Sequence, residues 1–230
     1  MIRLHHCPQT RSMRTLWLLH ELDLPFEVIE YPFDRSLRSA AFLSLSPAGR
    51  VPALEIDGQS LFETGAITQY LCERFSPDGL GRLPGQPERA DWLVWVHFAE
   101  TLSQHAAALT QQHVALYEDA MRSPIVMKLE AARAQKCYDA IEVRLSEPSR
   151  QGGYLLASGF SAADVSVGQA VYMARHFVPL ERHPAVADWY ARITARASFE
   201  RALPSGALLY QKTFYAPWPV EAVNDVEGTP

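Results

Sequence analysis

Apolar and polar positions alternate in short runs over the first third of the chain, then recur at three- and four-residue spacing over the rest. Ile2 to His6 predicts a strand, and 11–22 a helix with Met13, Leu16, Trp17 and Leu19 on its apolar face. Asp23-Leu24-Pro25 ends that helix, and 26–31 predicts a second strand. A short helix over 36–45 is closed by Ser46-Pro47-Ala48-Gly49. Two apolar runs, 51–56 and 59–62, flank Asp57-Gly58, a dipeptide suited to a tight hairpin turn. A helix over 64–75 completes the order βαβαββα.

The next segment holds three Pro and three Gly in twelve residues, 76–87, which is linker composition. Beyond it the pattern is helical throughout. Amphipathic helices are expected over 88–116 and 123–145, a break at Gln151-Gly152-Gly153, then helices over 162–176, 184–197 and 206–213. The expected organisation is an α/β domain over 1–76, a linker over 77–87, an all-α domain over 88–215 and a loosely held tail over 216–230.

Composition narrows the function classes. With 48% hydrophobic and 20% charged residues, 230 residues can bury a substantial core. The net charge of −5 and the lack of a basic block argue against nucleic acid as a partner. Three scattered cysteines, Cys7, Cys72 and Cys137, make neither a disulfide framework nor a metal cage, and they suit a reducing cytoplasm. The first residues lack the apolar core of a signal peptide and no stretch is long enough to span a membrane, so a cytoplasmic protein without a membrane partner is expected.

Candidate chemistry sits where strand gives way to helix. Arg50-Val51-Pro52 opens the third strand, and Glu63-Thr64 closes the hairpin immediately before a helix. A proline at a strand start leaves neighbouring backbone groups able to face a ligand, and X-Pro bonds take the cis form readily. A hydroxyl and free N–H groups at a helix N-terminus suit a carboxylate. The combination describes a site for an extended, peptide-like ligand with a free carboxylate. Each residue also has a plainer reading: Pro52 as an edge-strand start, Glu63 as an exposed hairpin acid. Further on, Ser161-Ala162-Ala163-Asp164 fits a capping box with Phe160 and Val165 at staple spacing, which gives Asp164 a structural task rather than a catalytic one.

Four segments in order resemble the cytosolic glutathione transferases. They are Ser46-Pro47-Ala48-Gly49-Arg50-Val51-Pro52-Ala53-Leu54, Phe62-Glu63-Thr64-Gly65-Ala66-Ile67, the linker, and Gly159-Phe160-Ser161-Ala162-Ala163-Asp164. The resemblance runs from Ile2 to about Leu203. It implies a thioredoxin-like N-terminal domain, an all-helical C-terminal domain, glutathione as co-substrate, no metal and a homodimer. By the same resemblance Val51 pairs its backbone with the cysteinyl part of glutathione and a cis Pro52 holds that backbone. Glu63 takes the ammonium of the γ-glutamyl end, Thr64 takes its carboxylate, and Arg50 pairs with the glycyl carboxylate.

The reaction implied is ionisation of glutathione and its conjugation to a small hydrophobic electrophile. Aligned on Ile2 and Arg14, the loop before the first helix is similar to theta-like and bacterial members with Ser-Arg-x-x-Arg, here Thr10-Arg11-Ser12-Met13-Arg14. Thr10 is therefore the candidate hydrogen-bond donor to the thiolate, with Ser12 in reserve. Cys7-Pro8-Gln9-Thr10 also resembles a monothiol redox loop, which keeps open a glutathione-dependent thiol-disulfide oxidoreductase using Cys7. A non-catalytic binding or scaffold protein is the remaining alternative. For the second substrate the resemblance points to Phe98, Thr101 and His105, with Tyr172 and Phe214 behind them.

Overall fold

The computed structural model describes residues 1–148, 152–206 and 208–216. Four strands form one sheet in the order β2-β1-β3-β4: β1 Ile2–His6, β2 Phe26–Glu30, β3 Ala53–Ile56 and β4 Gln59–Phe62. β1 runs parallel to β2 and antiparallel to β3, and β3 and β4 form a hairpin. At the hairpin turn Asp57 and Gly58 both have positive φ, 51° and 76°, as a two-residue turn between twisted strands requires. On one face Ile2, Leu4, Leu54 and Ile56 are buried. On the other, Arg3 lies in register with Glu27 and Glu55 and is bonded to both, at 3.0 and 3.3 Å.

Helix α1, Ser12–Glu21, and α3, Thr64–Phe75, cover the apolar face. The helix expected over 36–45 is divided: a 3₁₀ turn, Arg35–Arg38, precedes α2, Ala40–Leu45. Ser39 interrupts it because its Oγ accepts the Phe42 N–H at 3.3 Å, capping α2 afresh.

The second half is helical: α4 Arg89–Thr110, α5 Pro124–Leu145, α6 Ala162–Ala174, α7 Pro184–Thr194 and α8 Ala197–Ala202. α4 ends in a π turn, Gln111–Ala115. The core is the face of α4 bearing Trp92, Trp95, Val96, Ala99, Leu102 and Leu109, set against α6, every residue of which is buried. Gly168 on α6 lets α1 and α7 approach that helix closely, since a Cβ there would meet Ile193 at 2.5 Å and the Trp17 ring at 3.1 Å. Trp17, fully buried, and Glu21 carry the contact between the halves; Glu21 accepts Arg196 Nε and Nη2, both at 2.7 Å. No helix forms among the described residues of 206–213; Tyr210 instead buries its ring and hydrogen-bonds Thr110 Oγ1 at 2.6 Å. The tail expected over 216–230 lies, from 217 onward, outside the described residues.

The capping box at α6 is present, and its acid does more than cap. Asp164 Oδ2 accepts the Ser161 N–H at 2.9 Å, while Oδ1 accepts the Leu155 N–H at 3.0 Å and the Trp189 Nε1–H at 2.9 Å. Truncation strands three buried donors, each worth about 1–3 kcal/mol. Asp164→Ala is therefore expected to cost about 4 kcal/mol, read as a lowered urea midpoint at unchanged slope. A loss below about 1 kcal/mol would contradict this role.

Candidate functional site

The α3 N-terminus is built by an unusual backbone. Glu63, the residue before the helix, sits at φ 74°, in the left-handed region that a non-glycine residue occupies only when its surroundings impose it. That turn leaves the Glu63 side chain exposed and points the first N–H groups of α3, which have no intrahelical acceptor, out of the helix end. The Val51–Pro52 peptide is cis. Val51 is half-buried, Pro52 buried and Arg50 exposed; the Arg50 carbonyl is held by Ser46 Oγ at 2.8 Å.

Thr64 is buried, and its hydroxyl is already engaged. It donates to Glu100 Oε1 at 2.7 Å and accepts from Arg14 Nη1 at 2.9 Å. The hydroxyl hydrogen therefore serves Glu100, and the Thr64 backbone N–H is among the free donors of the α3 N-terminus. The side chain thereby ties the α3 N-terminus to Glu100 and Arg14. Arg14 is wholly buried; it pairs with Glu100 and donates from Nη2 to Ser103 Oγ at 3.0 Å and Gln169 Oε1 at 3.2 Å. Gln169 Nε2 donates in turn to the Thr10 carbonyl at 3.2 Å. A continuous hydrogen-bonded line thus joins Thr10 on the loop before α1 to Thr64 at the N-terminus of α3.

Glu100 is the residue the sequence did not reveal. It also accepts Arg11 Nη1 at 2.8 Å. Burial opposes its ionisation, but the charge of Arg14, the Thr64 hydroxyl and Arg11 outweigh burial and hold the carboxyl at about 2. A single acid on a long helix gives no local signal, since its partners lie 36, 86 and 89 residues away.

The loop between β1 and α1 carries the candidate sulfur donor. Thr10 is half-buried, with Oγ1 2.8 Å from both the Cys7 carbonyl and Ser12 Oγ. Ser12 is fully buried, so it cannot touch a ligand sulfur; it contacts Thr10, Cys7 and His6 instead. Cys7 is 1% exposed, and burial, with Glu30 and Asp34 nearby, pushes its thiol up to about 11. A thiol so placed is a poor nucleophile. Cys7→Ser is expected to leave glutathione-dependent turnover within about twofold of wild type, measured with a conjugation and a disulfide substrate. Loss of all turnover would instead support a Cys7 mechanism. Gln9, at φ 52° and buried, anchors the loop: its amide donates to Tyr172 Oη at 3.2 Å and accepts the Tyr210 N–H at 2.9 Å.

The second-substrate residues are not all brought to this side. Phe98 and His105 border a separate cavity of about 340 Å³ with Arg133, Lys136 and Cys137 of α5. His105 Nδ1 bonds Glu130 Oε2 at 2.7 Å, and Thr101 is exposed. These three positions lie on flanks of α4 turned away from Glu100, because 3.6 residues per turn puts Gln104, Ala107 and Gln111 on the Glu100 stripe instead. Tyr172 is buried beneath Gln9, and Phe214 stacks on Phe177 at 5.6 Å.

A thioredoxin-like α/β half carrying a cis proline and a left-handed acid before a helix, joined to an all-α half, defines the glutathione transferase class of architecture. The family model for the glutathione S-transferase N-terminal domain matches residues 1–73, and that for the C-terminal domain matches residues 93–192. The chain belongs to the cytosolic glutathione transferase family. It is 27% identical over 217 residues to glutathione S-transferase 1 of Saccharomyces cerevisiae, covering 86% of this chain and 92% of that protein. It is also 27% identical over 212 residues to disulfide-bond oxidoreductase YfcG of Escherichia coli, covering 88% and 94%. Among solved structures, glutathione transferase F7 from Populus trichocarpa superposes with a TM-score of 0.74 at 27% identity, over 88% of this chain and 97% of that one. A glutathione transferase homolog from Lodderomyces elongisporus, crystallised with two GSH per subunit, gives a TM-score of 0.79 at 21% identity, over 87% and 96%. No helix among the described residues is long and apolar enough to cross a membrane.

Proposed function

We propose that this protein binds glutathione, stabilises its thiolate with the Thr10 hydroxyl and conjugates it to small hydrophobic electrophiles. The observation that carries this reading is the line of hydrogen bonds from the Thr10 carbonyl through Gln169 and Arg14 to Thr64. It locks the sulfur end of the site to the γ-glutamyl end, as an enzyme acting on one tripeptide requires. In this reading the α3 N-terminus takes the γ-glutamyl carboxylate, Glu63 the ammonium, Val51 the cysteinyl backbone and Arg50 the glycyl carboxylate. The electrophile enters beside Gln104, Ala107 and Gln111, on the stripe of α4 that continues from Glu100. The protein works as a cytoplasmic homodimer.

A second activity of the same thiolate is supported by the relative named as a disulfide-bond oxidoreductase. The glutathione sulfur would attack one sulfur of a disulfide, forming a mixed disulfide and releasing the other sulfur as thiolate; a second glutathione would resolve it. This route does not need Cys7. The first test is calorimetric titration with glutathione. Wild type is expected to bind, and Glu63→Ala to lose at least tenfold in affinity, about 1.4 kcal/mol. A wild type that does not bind would leave the scaffold reading in its place.

A further inference from the structure

Behind Thr10 lie two buried side chains that no step above uses. His6, at the end of β1, is 4% exposed, and Ser12, at the start of α1, is fully buried. His6 Nδ1 is 2.8 Å from Ser12 Oγ, which is 2.8 Å from Thr10 Oγ1. We propose that His6 and Ser12 form a hydrogen-bond relay that aims the Thr10 hydroxyl hydrogen at the glutathione sulfur. The proposal rests on Thr10 being the thiolate donor; His6 and Ser12 are positioning residues that never touch the ligand.

The direction of the relay follows from counting donors. Each hydroxyl has one hydrogen and two lone pairs. The Cys7 N–H, which can only donate, fills one lone pair of Ser12 Oγ at 3.1 Å. The Ser12 N–H fills one lone pair of Thr10 Oγ1 at 3.3 Å. With the imidazole hydrogen on Nδ1, His6 fills the second lone pair of Ser12. The Ser12 hydrogen then fills the second lone pair of Thr10, and the Thr10 hydrogen must point out of the cluster. In this structure it rests on the Cys7 carbonyl, 2.8 Å away. A thiolate is a charged acceptor and outcompetes that carbonyl. The opposite direction, with Nδ1 bare, sends the Ser12 hydrogen to His6 and turns the Thr10 hydrogen inward to Ser12. It would take the Thr10 hydrogen away from the Cys7 carbonyl, 2.8 Å away, with no charged acceptor gained in exchange, which a buried acceptor resists. Burial also lowers His6 to about 4, so the ring is neutral near pH 7 and carries one N–H. Two of its three members are buried, so the relay is ordered before the ligand arrives.

The test follows the ultraviolet absorbance of the bound glutathione thiolate against pH, in the full chain, with affinity measured by calorimetry. Ser12→Ala and His6→Phe are each expected to raise the thiol pKa of bound glutathione by about one unit while glutathione still binds. His6→Asn, which can place an amide N–H where Nδ1–H stood, is expected to recover most of the shift. Thr10→Ala/Ser12→Ala is expected to titrate like Thr10→Ala alone, because the two act through one hydrogen. A wild-type titration in Ser12→Ala, with Thr10→Ala shifted, would overturn the relay and leave the Thr10 assignment standing. An unshifted Thr10→Ala would overturn both. Should Ser12→Ala fail to fold, the pair His6→Phe and His6→Asn decides: equal titrations would overturn the relay.

Discussion

Thr10→Ala is expected to slow conjugation of glutathione about 10–100-fold, the cost of one hydrogen bond to a charged acceptor, about 1.5–3 kcal/mol. The loss should fall on kcat, with the KM for glutathione little changed. The γ-glutamyl and glycyl ends, which hold the ligand in the proposed site, stay intact, and only the sulfur loses a partner. Thr10→Ser should retain most of the rate, since it keeps the hydroxyl and frees it from the rotamer preference a β-methyl imposes. The substituted side chain also bonds the Cys7 carbonyl and the Ser12 N–H, so melting curves must accompany the kinetics. A Thr10→Ala rate within twofold of wild type, with the fold intact, would remove Thr10 from the chemistry.

Glu100→Ala should do damage of a different kind. It removes the carboxylate facing Arg14, whose side chain is 0% exposed, and leaves a buried guanidinium with neutral partners only. Breaking a buried pair from one side costs about 3–5 kcal/mol. Glu100 is itself one-third exposed, so the lower end, about 3 kcal/mol, is expected here. Glutathione affinity should fall with stability, because Thr64 and the α3 N-terminus lose their anchor. Glu100→Gln should lose less, since the amide oxygen can still accept from Arg14 and Thr64.

The same network sets an acid limit. Glu100 has a folded pKa of about 2 against an ordinary 4.5, so its stabilisation is complete above 4.5. It is lost as pH falls toward 2, where the folded protein also takes up the proton. The slope of stability against pH between those values should be shallower in Glu100→Gln than in wild type. Parallel slopes would show that the carboxylate is not stabilised by the network.

Much of this protein could be read along the chain because much of it is locally determined. Asp57-Gly58 forms its hairpin turn because those two residues accept positive φ, whatever surrounds them. Ser161 and Asp164 cap α6 because capping needs only residues three apart. The helices over 88–145 follow from apolar spacing, and their observed ends lie within a few residues of it, apart from the π turn that finishes α4. Family resemblance placed Val51, Pro52, Glu63 and Thr64 in one site, and the structure shows the cis bond and the left-handed Glu63 there.

Other features belonged to the tertiary structure alone. Apolar spacing over 206–213 suggested a helix, but Tyr210 meets its partners Gln9 and Thr110 from an irregular segment. Periodicity along α4 marks which residues are apolar, not which flank faces which neighbour. Packing against α6 and α5 turned Phe98 and His105 aside and brought Glu100 to Arg14 and Thr64. For the same reason the Thr64 hydroxyl found an acceptor 36 residues away. Turns, caps and helix phases depend on neighbours a few residues apart, and the sequence determined those here. Which buried charge meets which, and where each hydroxyl hydrogen points, depends on groups that only the folded chain brings within 3 Å.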